Sequence, residues 1–158
     1  MTRLHRADAF LLVIDVQEKL MPVIDGHDGV AHNIERLVRG CKVLDVPALL
    51  TEQYVKGLGP TIAPIKTAFE ETSGYEPIEK DCFSGWGCAE LVTALRLLQK
   101  KQAIVADAVG SRSPSNKDVA LRRMVAEGAK LSSTEMALFE MLVESGTDEF
   151  RAVSRLVK

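Results

Sequence analysis

A few side chains of this 158-residue chain stand where chemistry is commonly done. Asp15 ends the unbroken apolar run Ala9-Phe10-Leu11-Leu12-Val13-Ile14. A short run of this kind, rich in branched residues, suits a strand buried on both faces, as in a parallel sheet. Ligands of open parallel sheets bind beyond the carboxyl ends of the strands, which is where Asp15 falls. The same acid reads equally well as a cap for the next turn or helix. Gln17 lies two residues on, so the period of extended chain lets it face the same pocket. Cys88 stands at or just before the first turn of a helix, where unpaired N–H groups and the helix dipole favour a thiolate. Gly85 and Gly87 let the backbone bend there and can aim N–H groups at a developing oxyanion. Lys80, eight residues earlier at the end of a strand, adds positive charge. The plain alternative is a half-buried structural cysteine and a solvated lysine. Arg112 follows a strand and precedes a helix N-terminus, a place to hold an anion and equally a place for an ordinary loop arginine.

The elements that must position these residues alternate. After the first strand comes a turn-rich link, Met21-Pro22 to Asp25-Gly26, then a helix capped by Asn33 with Ile34, Leu37, Val38, Cys41 and Leu44 on one face. Pro47–Thr51 reads as a second strand. Val55–Pro60, with two glycines and a proline, reads as an irregular turn. A short helix spans Thr61 to Glu71, starting near Pro64. Tyr75–Lys80 is a weak strand that Pro77 places at a sheet edge. A helix over Ala89–Gln99 leads to a strand over Gln102–Val109. A helix begins at Ser113-Pro114 and stops at Gly128. Lys130–Ser133 reads as the last strand, Thr134 as the cap of a helix to Glu144, and Thr147 as the cap of a closing helix. Strands alternating with helices indicate one α/β domain over residues 1–158 with a mostly parallel sheet of about five strands.

Composition narrows the function classes. With 46% hydrophobic and 27% charged residues and a net charge of −2, the chain reads as an ordinary globular domain. It carries no basic block, so nucleic acid is not an expected partner. Its apolar runs are too short to cross a bilayer. The first eight residues lack the apolar core of a signal peptide. Three cysteines without regular spacing make no disulfide framework and point to a cytoplasmic protein with reduced thiols. Cys41 sits on the apolar face of its helix and reads as core. His5, His27 and His32 lack metal-ligand spacing, so no metal is expected. Gly85-x-Gly87 has Glu90 at the third glycine position, so the dinucleotide fingerprint fails, and no phosphate loop of the GxxxxGK type is present. No cofactor is expected. A phosphoacceptor receiver domain also places an acid after its first strand, but Val16 stands where an acidic pair would be needed.

Several segments together are similar to a known family. Leu12-Val13-Ile14-Asp15-Val16-Gln17-Glu18-Lys19-Leu20, Thr51-Glu52-Gln53-Tyr54-x-Lys56-Gly57-Leu58-Gly59-Pro60-Thr61 and Ile78-Glu79-Lys80-x-x-Phe83-Ser84 resemble the isochorismatase-like cysteine hydrolases. So do Ala106-Asp107-Ala108-Val109-Gly110-Ser111-Arg112-Ser113 and Ser132-Ser133-Thr134-Glu135-Met136-Ala137-Leu138-Phe139-Glu140. The nearest branch is that of the isochorismatase domain-containing proteins. The resemblance implies a Rossmann-like three-layer α/β/α fold, a small-molecule amide, ester or enol-ether substrate, a homo-oligomer, and an Asp–Lys–Cys triad. Asp15 and Lys80 fall on its first two members. In that mechanism the acid takes the thiol proton, the lysine stabilises adjacent charge and the sulfur attacks the substrate carbon. Tyr54 and Phe83, in matched segments, join Gln17 and Arg112 as expected substrate-binding residues. The chain departs from the pattern where the family cysteine should stand. The usual Gly-Ile-Glu-x-His-x-Cys segment is absent, a loss of about 25 residues covering a strand, a helix and their loops. That leaves about five strands where the family has six, and an impaired site. Cys88, which also opens an amphipathic helix, is then the substitute nucleophile. The competing expectation is a catalytically inactive binder or oligomeric subunit.

Overall fold

Strand β1 (Ala9–Ile14) lies inside a parallel sheet with β2 (Ala48–Gln53) on one side and β4 (Gln102–Ala103) on the other. β3 (Ile78–Lys80) pairs with β2 at the edge, giving the order β3-β2-β1-β4. The computed structural model describes residues 3–99, 102–103 and 107–158. The register sets Leu11 opposite Ala48 and Ile14 opposite Thr51, and Thr51 opposite Ile78. The carboxyl ends of β1, β2 and β3 therefore lie side by side, as the resemblance implies.

Alternation along β1 divides its side chains between two faces. Leu11 and Val13 join a core with Ile34, Leu37, Val38 and Cys41 of α1 (His27–Val43). Phe69 of α3 (Ala63–Thr72), Leu138 of α6 (Thr134–Leu142) and Val153 of α7 (Asp148–Leu156) complete that core. Leu12 and Leu49 face the other way, onto Ile78, Cys88 and Leu91, the last from α4 (Ala89–Leu98). Helices thus cover both faces, which makes the three-layer α/β/α fold. Gly40 marks a close helix contact: a Cβ there would stand 2.5 Å from Leu138 Cδ2, so α1 and α6 approach closely at this point because the side chain is missing.

Some elements differ from the sequence-based expectations. Asn33 lies inside α1, not at its start. The chain turns at Gly26 (φ 64°), and the helix begins at His27 with Asp28 in the first turn. Asp28 complements the helix dipole there. The irregular turn after β2 contains a one-turn helix, α2 (Val55–Leu58). Of the strand expected over Gln102–Val109, residues 102 and 103 pair with β1, residues 104–106 lie outside the described residues, and Asp107–Val109 form no strand. Lys130–Ser133 is not a strand either. That segment delivers Ser133, rather than Thr134, as the cap of α6, its hydroxyl accepting from the Met136 N–H. Thr134 instead donates its N–H and hydroxyl to Asp107. The sheet has four strands among the described residues. α5 (Pro114–Ala126) is capped by Ser113 and buries none of its residues. Thr147 caps α7 as expected.

Candidate active site

β1 and β2 each end in a residue with left-handed backbone: Asp15 (φ 54°) follows Ile14, and Tyr54 (φ 39°) follows Gln53. Aspartate tolerates this region better than most residues, whereas a bulky aromatic there is an outlier. The turn at Asp15 is held by its N–H, which donates to the Thr51 carbonyl. Such strain is concentrated at functional sites.

The turn aims the Asp15 carboxylate at β3. Lys80 Nζ donates to Asp15 Oδ2 at 2.6 Å, and the Thr51 hydroxyl donates to Asp15 Oδ1 at 2.7 Å. The Lys80 side chain is 1% exposed and that of Asp15 19%. The ammonium also donates to Gln53 Oε1 at 2.6 Å and to the Cys82 carbonyl at 3.3 Å. Removing an ion pair from water is costly unless every polar atom finds a partner. Here Thr51 and Gln53, two apart on β2 and so on one face, supply partners for the acid and the base respectively. The signal in the sequence for these two residues is their two-residue spacing on the strand beside Asp15.

Gln17, which its spacing places on the side of Asp15, makes contacts to the neighbouring backbone. Its side chain is wholly buried. Its amide donates to the Gln53 and Gly59 carbonyls, and its Oε1 accepts from the Gln53 N–H. All of these are backbone partners, so in this structure the residue ties the turn after β1 to the end of β2.

Cys88 caps α4 through its backbone and lies among Ile78, Leu91, Leu12 and Leu49. It is 8% exposed. Among the described residues, no hydrogen bond joins its thiol to Asp15 or Lys80. A 3₁₀ turn at Gly85–Gly87 leads into it. Cys82 packs against the Gly87 backbone, its Sγ 3.2 Å from where a Cβ would stand. Tyr54 is 57% exposed, Phe83 97% and Trp86 77%, all beyond the carboxyl ends of β2 and β3. Arg112 is exposed in the loop before α5, next to Ser111, whose carbonyl accepts from the Asp25 N–H. Cys41 is core, as expected, and its burial pushes the thiol up to about 12.

A cleft of about 380 Å³ runs along the last residues of β1, walled by Ile14, Val16, Leu20 and Ile24 and by residues 108–110. Asp15 is its one ionisable residue among those described. Its size is that of a small-molecule pocket. No cluster of His, Cys, Asp and Glu able to hold a metal occurs among the described residues, and none of the described helices is long and apolar enough to cross a membrane.

Comparison with known proteins bears on this geometry. The isochorismatase domain model matches residues 9–106. Isochorismatase domain-containing protein 2 of Danio rerio is 32% identical over 178 aligned positions, covering 98% of this chain and 89% of that protein. Those positions outnumber the 158 residues of the chain by 20, so the relative carries at least that many with no counterpart here. Among solved structures, the YcaC gene product of Escherichia coli, described as an octameric hydrolase of unknown specificity, superposes with a TM-score of 0.89 at 22% identity. That match covers 99% of this chain and 89% of the other. A MAR1 ribonuclease from Caenorhabditis elegans gives a TM-score of 0.79 at 25% identity, covering 99% and 92%.

Proposed function

The chain belongs to the isochorismatase domain family, and from that premise we propose that it is a hydrolase of small-molecule amides, esters or enol-ethers. The observation that carries this reading is the Asp15–Lys80 pair, held at 2.6 Å with Asp15 lining an apolar cleft. In the reaction, Asp15 accepts the Cys88 thiol proton while Lys80 balances the charge. With an amide or ester, the sulfur attacks the substrate carbonyl, and the tetrahedral intermediate collapses to a thioester as Asp15 returns the proton to the leaving amine or alcohol. An enol-ether has no such carbonyl and does not take this route. Water, deprotonated by Asp15, then cleaves the thioester and regenerates the thiol. Turnover requires the 81–88 loop to bring Sγ of Cys88 within hydrogen-bond reach of Asp15. Tyr54 and Phe83, exposed beside the site, supply apolar contacts to the substrate, and Arg112 an anion contact.

A second reading is a non-catalytic binder. It is favoured by the burial of Cys88 among apolar side chains and by the 20 or more alignment positions that this chain lacks. Both readings take the protein as cytoplasmic and homo-oligomeric. In support of assembly, α5 buries nothing within its own chain, and Val119 and Met136 are 66% and 60% exposed. Although one structural relative is named a ribonuclease, the net charge of −2 favours a small molecule over RNA.

The test is a hydrolysis screen over amides, esters, enol-ethers and a short RNA, with Cys88→Ala alongside. Turnover of a small molecule that the variant loses is the expected result. Turnover that survives in Cys88→Ala removes the thiol from the mechanism. Saturable ligand binding with no hydrolysis anywhere in the screen establishes the second reading, and cleavage of the RNA alone overturns both.

A further inference from the structure

The Lys80 ammonium has three protons, and three acceptors surround it: Asp15 Oδ2 at 2.6 Å, Gln53 Oε1 at 2.6 Å and the Cys82 carbonyl at 3.3 Å. With its side chain 1% exposed, it has no access to water. An ammonium offers three donors and no acceptor, so this inventory is complete. We propose that Gln53 is the positioning residue of the site: by taking one of these protons, it confines Lys80 to the role of a fixed charge beside Asp15, with no proton left for substrate or oxyanion.

The orientation of Gln53 follows from its own contacts. Its Nε2 donates to the Asp81 carbonyl at 2.9 Å, which turns Oε1 toward Lys80. Its backbone N–H is accepted by Gln17 Oε1 at 2.8 Å, and its carbonyl accepts from Gln17 Nε2 at 3.0 Å. Gln17 therefore holds Gln53 by the backbone, and Gln53 holds Lys80 by the side chain. The functional consequence rests on the hydrolase reading: substrate is bound by groups other than Lys80, so losing Gln53 lowers kcat and leaves KM in place. The structural content stands without that reading, because it concerns the free protein.

The decisive measurement is the exchange of the ammonium protons, by ¹H–¹⁵N NMR of lysine-labelled protein without substrate, with Lys80→Met to assign the signal. Ammonium protons that are all donated to buried acceptors must await a local opening to meet water, so they exchange slowly. The parent is expected to show one lysine signal exchanging at least tenfold more slowly than the surface lysines. Gln53→Glu keeps an acceptor for Lys80 but loses the donor to Asp81, and is expected to retain the signal. Gln53→Leu, and Gln53→Asn with its shorter reach, are expected to lose it. A parent signal exchanging as fast as surface lysines overturns the proposal even if every variant unfolds. So does a slow signal that survives in folded Gln53→Leu. Where a substrate is found, a folded Gln53→Leu that raises KM tenfold at constant kcat overturns the fixed-charge role. Absence of any turnover leaves the exchange result to decide.

Discussion

Asp15→Asn is expected to destabilise the protein more than Lys80→Met, although the two changes break the same contact. Asparagine keeps the shape, the Thr51 hydrogen bond and the tolerance for left-handed backbone, but leaves an ammonium with a 1% exposed side chain and only neutral acceptors. Removing one partner of a buried pair costs about 3–5 kcal/mol, and the retained contacts place this change near 3. Lys80→Met instead leaves a carboxylate that is 19% exposed and still bonded to the Thr51 hydroxyl, so the stranded charge reaches water. The loss of one charge-assisted bond there costs about 1–2 kcal/mol. The double variant strands no charge, so its cost falls short of the sum by about 1–3 kcal/mol. Urea unfolding at fixed protomer concentration measures all three, and for a domain of this size Asp15→Asn lowers Tm by about 6–12 °C. Equal or inverted costs for the two single changes, or strict additivity in the double variant, would refute the picture of a dry lysine serving a partly wet acid.

Further changes probe the rest of the structure. Burial raises the Cys41 thiol from 9.0 to about 12, so above pH 9 the folded state holds a proton that the unfolded state releases. Stability should then fall as pH rises from 9 toward 12, by about 1 kcal/mol per pH unit from this group, and Cys41→Ala should flatten that limb of a pH-dependent unfolding series. Tyr75, raised by burial and by its bond to Glu52, adds a loss of the same sign above pH 10, visible as a delayed phenolate absorbance. Gly40→Ala gains about 1 kcal/mol of helix propensity. The new methyl meets Leu138 at 2.5 Å in a sealed core, so the net effect is a loss of about 1–2 kcal/mol. Leu138→Ala on the Gly40→Ala background should cost less than it does alone. Tyr75→Phe removes one of three donors to buried Glu52, the others being the N–H and hydroxyl of Thr61, and should cost about 1 kcal/mol in thermal unfolding.

What could be read from sequence follows from how local each determinant is. β1 and the apolar face of α1 are written in consecutive or helically spaced residues, and Ile34, Leu37, Val38, Cys41 and Leu44 are all buried as that spacing requires. β3 lies at the sheet edge, as expected from Pro77, which stands just before it and cannot donate to a ladder. The failures lie where a distant partner decides. Asn33 has cap chemistry, but Gly26 can turn the chain seven residues earlier, and the helix takes the longer course. Lys130–Ser133 has strand composition, but its last residue caps α6, and Thr134 beyond it bonds Asp107. Gln17 has the right period to face Asp15, yet the turn at Asp15 breaks the extended chain on which the period depends. The roles of Thr51 and Gln53 appear only once β2 is known to lie between β1 and β3.

The site combines two features that are expensive in an ordinary core. Buried ion pairs are often matched or bettered in stability by apolar side chains of similar volume. A residue with left-handed backbone adds about 1 kcal/mol or more of strain. Both converge on Asp15, and a third oddity, left-handed Tyr54, stands at the equivalent place on the next strand. A fold needing only to close its sheet would do so more cheaply with a glycine turn and an apolar residue in place of Lys80. The arrangement is instead complete: the lysine is saturated, the acid is held at both oxygens, and one side of the acid opens to a cleft. That organisation suits a group awaiting a ligand. It places the weak point of the hydrolase reading at Cys88, whose thiol is packed among Ile78, Leu91 and Leu12 while the prepared acid lies elsewhere. The chemistry is therefore decided by whether the 81–88 loop can deliver that sulfur. Iodoacetamide labelling of Cys88 separates the cases. Labelling that quickens when ligand binds indicates a loop that moves to serve Asp15, whereas labelling no faster than global unfolding indicates a cysteine that stays in the core.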